Sequence, residues 1–310
     1  MKKLFALLLP LLLLTACGQA PAEPAHGIRV VATDFPAYDF ARAVCGDLAE
    51  VSLLLPPGAE SHSYEPTPAD IIAVQDCDLF LYLGGESDAW VDTILKSMEP
   101  KGRQLRMVDC VTLLEEQSVE GMQGHEEAHH AGAVREMDEH VWTDPANALA
   151  ITETIGEAME DIDPANAQAY AANTAAYGGK IAAVDQAFQD FFAGVERPLM
   201  LFGDRFPLRY FAEAYDVEYY AAFPGCSTQT EPSAATIAFL TDKAKAEKVS
   251  TIYYIEFSNH LVADSIAEST GAQTALFHSC HNVSQAELDA GVTYVSLMEQ
   301  NLETLRQTMG

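Results

Sequence analysis

The chain has 310 residues, and its 17 Lys and Arg against 46 Asp and Glu give a formal net charge of −29. A surface this acidic repels polyphosphate and anionic headgroups, which excludes nucleic-acid binding and electrostatic adsorption to a membrane, and it suits cations. Hydrophobic residues make up 49% of the sequence, and the roughly 280 residues beyond the N-terminal segment suffice for two domains of ordinary size.

The chain opens Met1-Lys2-Lys3 and continues as an apolar run, residues 4–14, interrupted by Pro10. That run is far short of the ~20 residues that span a bilayer and reads as a secretory signal. Leu14-Thr15-Ala16-Cys17 looks like a bacterial lipobox, which implies removal of residues 1–16, lipidation of Cys17 and a flexible Ala- and Pro-rich tether over residues 17–27. With Cys17 used by the anchor, Cys45, Cys77, Cys110, Cys226 and Cys280 remain. An odd number allows at most two disulfides. Cys226 and Cys280, both in turn-like segments, are the first choice for a pair.

A β-type run at residues 30–33 precedes a helical pattern at 38–46. Residues 51–55 form a second strand stopped by Pro56-Pro57-Gly58. A helix at 68–75, a strand at 79–83, a helix at 89–98 and a strand at 106–108 follow. Residues 145–161 and 165–193 read as two connecting helices; the second, unless Gly178-Gly179 breaks it, would be a strut of about 45 Å. The second half repeats the theme, with strands at 199–202, 217–220, 251–255 and 275–277 and helices at 233–247 and 263–270. Alternating strands and helices predict an α/β fold of two lobes, each a mostly parallel four-stranded sheet flanked by helices, joined by a long rigid helix. The expected lobes are residues 28–144 and 196–310, linked through 145–195.

Three histidines, His62, His140 and His278, lie in distant, polar, turn-rich segments, and His125, His129 and His130 sit in an acidic loop within residues 121–137. Imidazole is the commonest protein ligand for borderline metals, and a rigid fold builds a metal pocket from such remote contributions. His62 follows the second predicted strand, Asp204 the strand ending at Phe202, and His278 directly follows Phe277. Those are carboxyl ends of strands, where open α/β sheets bind ligands.

Pro57-Gly58-Ala59-Glu60-Ser61-His62-Ser63-Tyr64-Glu65-Pro66-Thr67-Pro68 and Asp138-Glu139-His140-Val141-Trp142-Thr143-Asp144-Pro145 resemble the first- and second-ligand motifs of the zinc and manganese substrate-binding lipoproteins of ABC transporters. The helix around Met298-Glu299-Gln300-Asn301-Leu302 is similar to their closing helix, and the histidine-acidic segment stands where zinc-specific members carry theirs. The resemblance spans essentially the whole mature chain. It weakens in the second lobe: Gly203-Asp204-Arg205-Phe206 replaces the usual His or Glu, and His278-Ser279-Cys280-His281 replaces an Asp-bearing turn.

The resemblance implies His62, His140 and His278 as ligands, with Asp204 supplying an oxygen; Glu60, His281, Glu256 or a water are alternatives for that last place. Three imidazoles and at most one oxygen suit Zn²⁺, whereas Mn²⁺ wants more oxygens. His125, His129 and His130 would collect metal at low affinity. The implied activity is extracytoplasmic zinc capture by a monomer that is held to the membrane by its lipid and docks on an ABC permease. Two other functions use the same residues. One is a zinc hydrolase with Glu60 or Glu256 as base, and the other a surface metal buffer or adhesin. No His-Glu-x-x-His, Gly-x-Ser-x-Gly or dinucleotide-binding glycine pattern is present.

Overall fold

The computed structural model describes residues 27–61, 64–98, 100–123, 136–227 and 231–309. Four strands, β1 (Ile28–Ala32), β2 (Ala49–Leu53), β3 (Leu79–Tyr82) and β4 (Arg103–Arg106), form one parallel sheet in the order β2-β1-β3-β4. A second parallel sheet has β5 (Leu199–Phe206), β6 (Glu218–Pro224), β7 (Thr251–Tyr254) and β8 (Gln273–Leu276) in the equivalent order β6-β5-β7-β8. The two-lobed α/β architecture expected from the alternation is therefore the observed one. In each sheet the strand order reverses beside the first strand, between β1 and β3 and between β5 and β7. Ligands bind at such switch points, outside the carboxyl ends of the strands.

Helix boundaries follow local chemistry. Asp34 caps α1 (Phe35–Cys45) by accepting from the Ala37 N–H, and Thr67 and Asp70 form a capping box at α2 (Pro68–Asp76). After α3 (Ala89–Ser97), Asp144 caps α4 (Pro145–Ile162). Next comes α5 (Ala167–Phe192), whose 26 residues run about 39 Å and continue through Gly178-Gly179. Gly178 is buried against α4, while Gly179 on the exposed side is tolerated within so long a helix. A Cβ on Gly178 would lie 2.8 Å from Leu149 Cδ1, and one on Gly156 of α4 would lie 2.4 Å from Thr174 Oγ1. The remaining helices are α6 (Arg209–Ala214), α7 (Ala234–Glu247), α8 (Leu261–Thr270), α9 (Gln285–Asp289) and α10 (Tyr294–Met309). Among the described residues no helix is long and apolar enough to cross a membrane.

Two expectations are corrected. The strand placed at 106–108 lies earlier, at Arg103–Arg106, and Met107–Cys110 form a 3₁₀ turn. Strand β5 does not stop at Phe202 but runs to Phe206 through a register irregularity between Phe202 and Arg205, so Asp204 lies inside the strand.

One apolar core passes through both lobes. It joins Val30, Phe40 and Leu81 to Trp142, Phe202, Phe277 and Tyr294. The lobes are also stitched by polar contacts. Trp142 Nε1 donates to the Ser279 carbonyl (2.8 Å), Tyr294 Oη donates to the Trp142 carbonyl (2.8 Å), and the Tyr294 N–H donates to Asp39 (2.8 Å). Buried groups satisfied across the seam hold the lobes at one separation.

Candidate metal centre

The cleft between the sheets is walled by Glu60, Ser61 and His140 on one side and by Arg205, Glu256 and His281 on the other. His140 opens the 3₁₀ turn Val141–Thr143 and is buried. Its Nδ1 lies 3.1 Å from Asp138 Oδ1, which also accepts the His140 backbone N–H at 2.8 Å. A carboxylate on Nδ1 fixes the tautomer and turns Nε2 toward an incoming ion, the usual support of a ligating histidine. Burial pulls the His140 pKa down, but the Asp138 carboxylate beside it, with Glu139 and Glu116 behind, moves it above the ordinary value.

His281 faces it. The two imidazoles meet edge to face with centroids 5.6 Å apart, and Trp142 packs against both rings, 5.5 Å from His140 and 5.0 Å from His281. His278 points elsewhere. Its Nδ1 accepts the Cys280 N–H (2.9 Å), and its backbone N–H and carbonyl bond to Asn301 of α10 (2.7 and 2.8 Å). It is buried and absent from the cleft wall. The structure therefore brings His281, not the expected His278, to His140. The reason is the turn between them, where Cys280 takes a left-handed backbone conformation (φ +63°) and reverses the chain.

Asp204 is likewise not on the wall. Its Oδ1 accepts the Arg205 N–H (2.8 Å) and its Oδ2 lies 3.5 Å from the Ile255 N–H, so the carboxylate joins β5 to the end of β7. Gly203 before it has no room for a side chain, since a Cβ there would lie 2.4 Å from Ala263 Cα of α8. Arg205 instead reaches across the cleft to Glu60, with Nη2 2.9 Å from Oε2.

His62 lies outside the described residues, but the segment leading to it is firmly held. Asn282 Nδ2 donates to the carbonyls of Pro56 and Ala59 (both 2.9 Å), and the Gly58 N–H donates to the Val283 carbonyl (2.8 Å). Adjacent Ser61 stands on the cleft wall beside His140 and His281. Cys17, His125, His129 and His130 also lie outside the described residues. Cys226 and Cys280 are not bonded to each other, both being free thiols. The position of Cys226 is not one that sequence reasoning foresees. Its Sγ, a ring nitrogen of His140 and a Glu139 carboxylate oxygen lie within 4.8 Å of one another. The sequence signal for it is its place, in the turn directly after β6.

A second, adjoining pocket that His281 also lines is bordered by Thr33, Asp34, Ser61, Tyr64 and Asp88. Asp34 Oδ1 accepts the Ala37 N–H (3.0 Å), whereas Oδ2 is buried without a hydrogen-bond partner among the described residues. Burial and the adjacent Asp88 carboxylate push its pKa up to about 8. Asp88 itself is raised to about 6, chiefly by burial.

Two parallel sheets share a cleft at their switch points, with a carboxylate-oriented imidazole inside, and so define a two-lobed α/β protein whose candidate site lies between the lobes. Residues 30–308 match the family described as ZnuA, zinc-uptake complex component A, periplasmic, and the chain belongs to that family. It is 31% identical over 317 residues to the high-affinity zinc uptake system protein ZnuA of Bacillus subtilis, covering 99% of this chain and 97% of that one. It is 32% identical over 314 residues to the zinc-binding lipoprotein AdcA of Streptococcus pneumoniae, covering 99% of this chain but spanning only 61% of that relative's length. The crystal structure of the Zn(II)-bound ZnuA-like domain of AdcA superposes with a TM-score of 0.75 at 28% identity, over 92% of this chain and 99% of that domain.

Proposed function

We propose that this protein captures zinc outside the cytoplasm and delivers it to an ABC permease, with the ion held by His62, His140 and His281. The observation that carries the reading is the pair His140 and His281, one from each lobe, with ring centroids 5.6 Å apart and Asp138 orienting the first. Imidazole-rich donors favour zinc over manganese. Relatives named for zinc uptake and zinc binding, matched along nearly the whole of this chain, support the same cargo. Lipidation at Cys17 and a tether over residues 17–27 would keep the protein at the membrane face where a permease opens, and His125, His129 and His130 would gather the ion nearby. Under this reading residues 1–16 are the signal, and each lobe with its sheet works on one side of the ion.

The hydrolase alternative needs a carboxylate ready to act as base. Glu256 accepts both the N–H (2.7 Å) and the hydroxyl of Ser279, and Glu60 is paired with Arg205. Both candidates are engaged in holding the cleft together, which favours capture over catalysis.

Competitive zinc and manganese titration of the protein lacking residues 1–17 tests the proposal. Wild type is expected to bind one zinc tightly and in preference to manganese. His140→Ala and His281→Ala should each lose that binding, while His278→Ala and removal of residues 124–132 should keep it. Preference for manganese, or loss on His278→Ala with retention on His281→Ala, would overturn the ligand set.

A further inference from the structure

We propose that Cys226, next in the chain to the cleft-lining Gly225, supplies a thiolate ligand to the ion that His140 binds. The proposal deepens the zinc reading and rests on it. The Cys226 sulfur, a His140 ring nitrogen and a Glu139 oxygen already converge within 4.8 Å of one another. Zn–S and Zn–N bonds of about 2.3 and 2.0 Å at a tetrahedral angle put sulfur and nitrogen about 3.5 Å apart, so the donors need close by only about 1 Å.

That turn is built to hold its place. Strand β6 ends at Pro224, the Ser227 N–H donates back to the Pro224 carbonyl (3.3 Å), and the Cys226 N–H donates to Glu116 Oε1 of the other lobe (3.2 Å). Gly225 lets the turn lie against the ligand ring, since a Cβ there would stand 3.1 Å from His140 Cε1 and 3.0 Å from Pro207 Cα. The cysteine is thus delivered beside a buried imidazole that Asp138 orients.

The thiol is not spent elsewhere. Cys77, Cys110 and Cys280 each donate to a backbone carbonyl, of Val74, Arg106 and His278 respectively. Cys226 is a free thiol with no such bond among the described residues. On binding, the thiol proton leaves to solvent and the sulfur lone pair forms the bond to Zn²⁺. A thiolate moves the site further from manganese, which prefers oxygen.

Cobalt(II) reports sulfur directly, because a thiolate–cobalt bond adds a near-ultraviolet charge-transfer absorption that imidazole and carboxylate ligands lack. The one-to-one cobalt form of the protein lacking residues 1–17 is expected to show that band. Cys226→Ser should abolish it and weaken zinc binding by about 100-fold or more, since loss of even a hydrogen-bond partner behind a ligand costs about 10- to 100-fold. Cys280→Ser, the matched control, should keep both. A wild-type cobalt complex without the band, or a band that survives Cys226→Ser, overturns the thiolate while leaving the histidine site standing. Failure of wild type to bind zinc or cobalt at all overturns the capture reading together with it.

Discussion

At the scale of single residues, the cleft shows how three positions of chain decide which imidazole meets His140. His278 and His281 are equally good donors by type, and a motif alone favours the one directly following the strand. The left-handed Cys280 between them donates its own N–H to the first ring, while the second ring meets His140. A carboxyl with a different kind of cost sits in the adjoining pocket. Asp34 caps α1 with one oxygen and buries the other unpartnered, so its folded-state pKa of about 8 stands above the ordinary aspartate value of 3.8. The folded chain therefore holds this proton more tightly than the unfolded chain. The stability it confers is full below about pH 4 and falls as pH rises toward 8. Asp34→Asn keeps the capping oxygen and removes the charge. Thermal unfolding of the apo protein should show the variant more stable than wild type at pH 8, by on the order of 2 kcal/mol, and no different at pH 4. An equal gain at both pH values would mean that the benefit is not electrostatic.

At the scale of elements, the long helix α5 and its neighbour α4 carry glycines with opposite duties. Gly179 faces open space, and a Cβ placed there would meet nothing within 4 Å, whereas Gly156 on α4 meets Thr174 of α5 at 2.4 Å. Replacing an exposed helical glycine removes backbone freedom from the unfolded chain, so Gly179→Ala should raise stability by about 0.5–1 kcal/mol. Gly156→Ala forces the two helices apart and should lower it by about 1–3 kcal/mol. Urea denaturation of both variants checks the pair. If Gly156→Ala were neutral, the α4–α5 contact would be looser than described. Strand β5 carries the other lesson at this scale. Its extension through a register irregularity to Phe206 takes Asp204 off the cleft and puts Arg205 on it. A bulged strand re-aims side chains in a way that an alternation pattern does not record.

At the scale of the whole molecule, the lobes are coupled by the same segment that carries His281. Asn282 bonds two carbonyls of the loop leading to His62, and Trp142 reaches from beside His140 to the Ser279 carbonyl. Ligand placement and lobe separation are therefore set together. Asn282→Ala should weaken zinc affinity about tenfold through the position of the His62 segment, with little change in the secondary structure. Isothermal titration with circular dichroism checks this, and unchanged affinity would show that the loop is held by other means. A core continuous through both lobes and a helix of about 39 Å beside it resist wide hinge closure. Under the proposed zinc capture, release of the ion calls for local movement at the cleft lip, where Arg205 and Glu60 span the gap.

The alternation of strands and helices and the motif around His140 were legible without coordinates. Each rests on chemistry that acts within a few residues. The His278–His281 choice, the withdrawal of Asp204 and the approach of Cys226 to His140 were not. These depend on where a turn, a strand irregularity and a neighbouring helix place groups that are distant in the chain. Local sequence determined which side chains could bind a metal, and only the packing of one lobe against the other decided which of them meet.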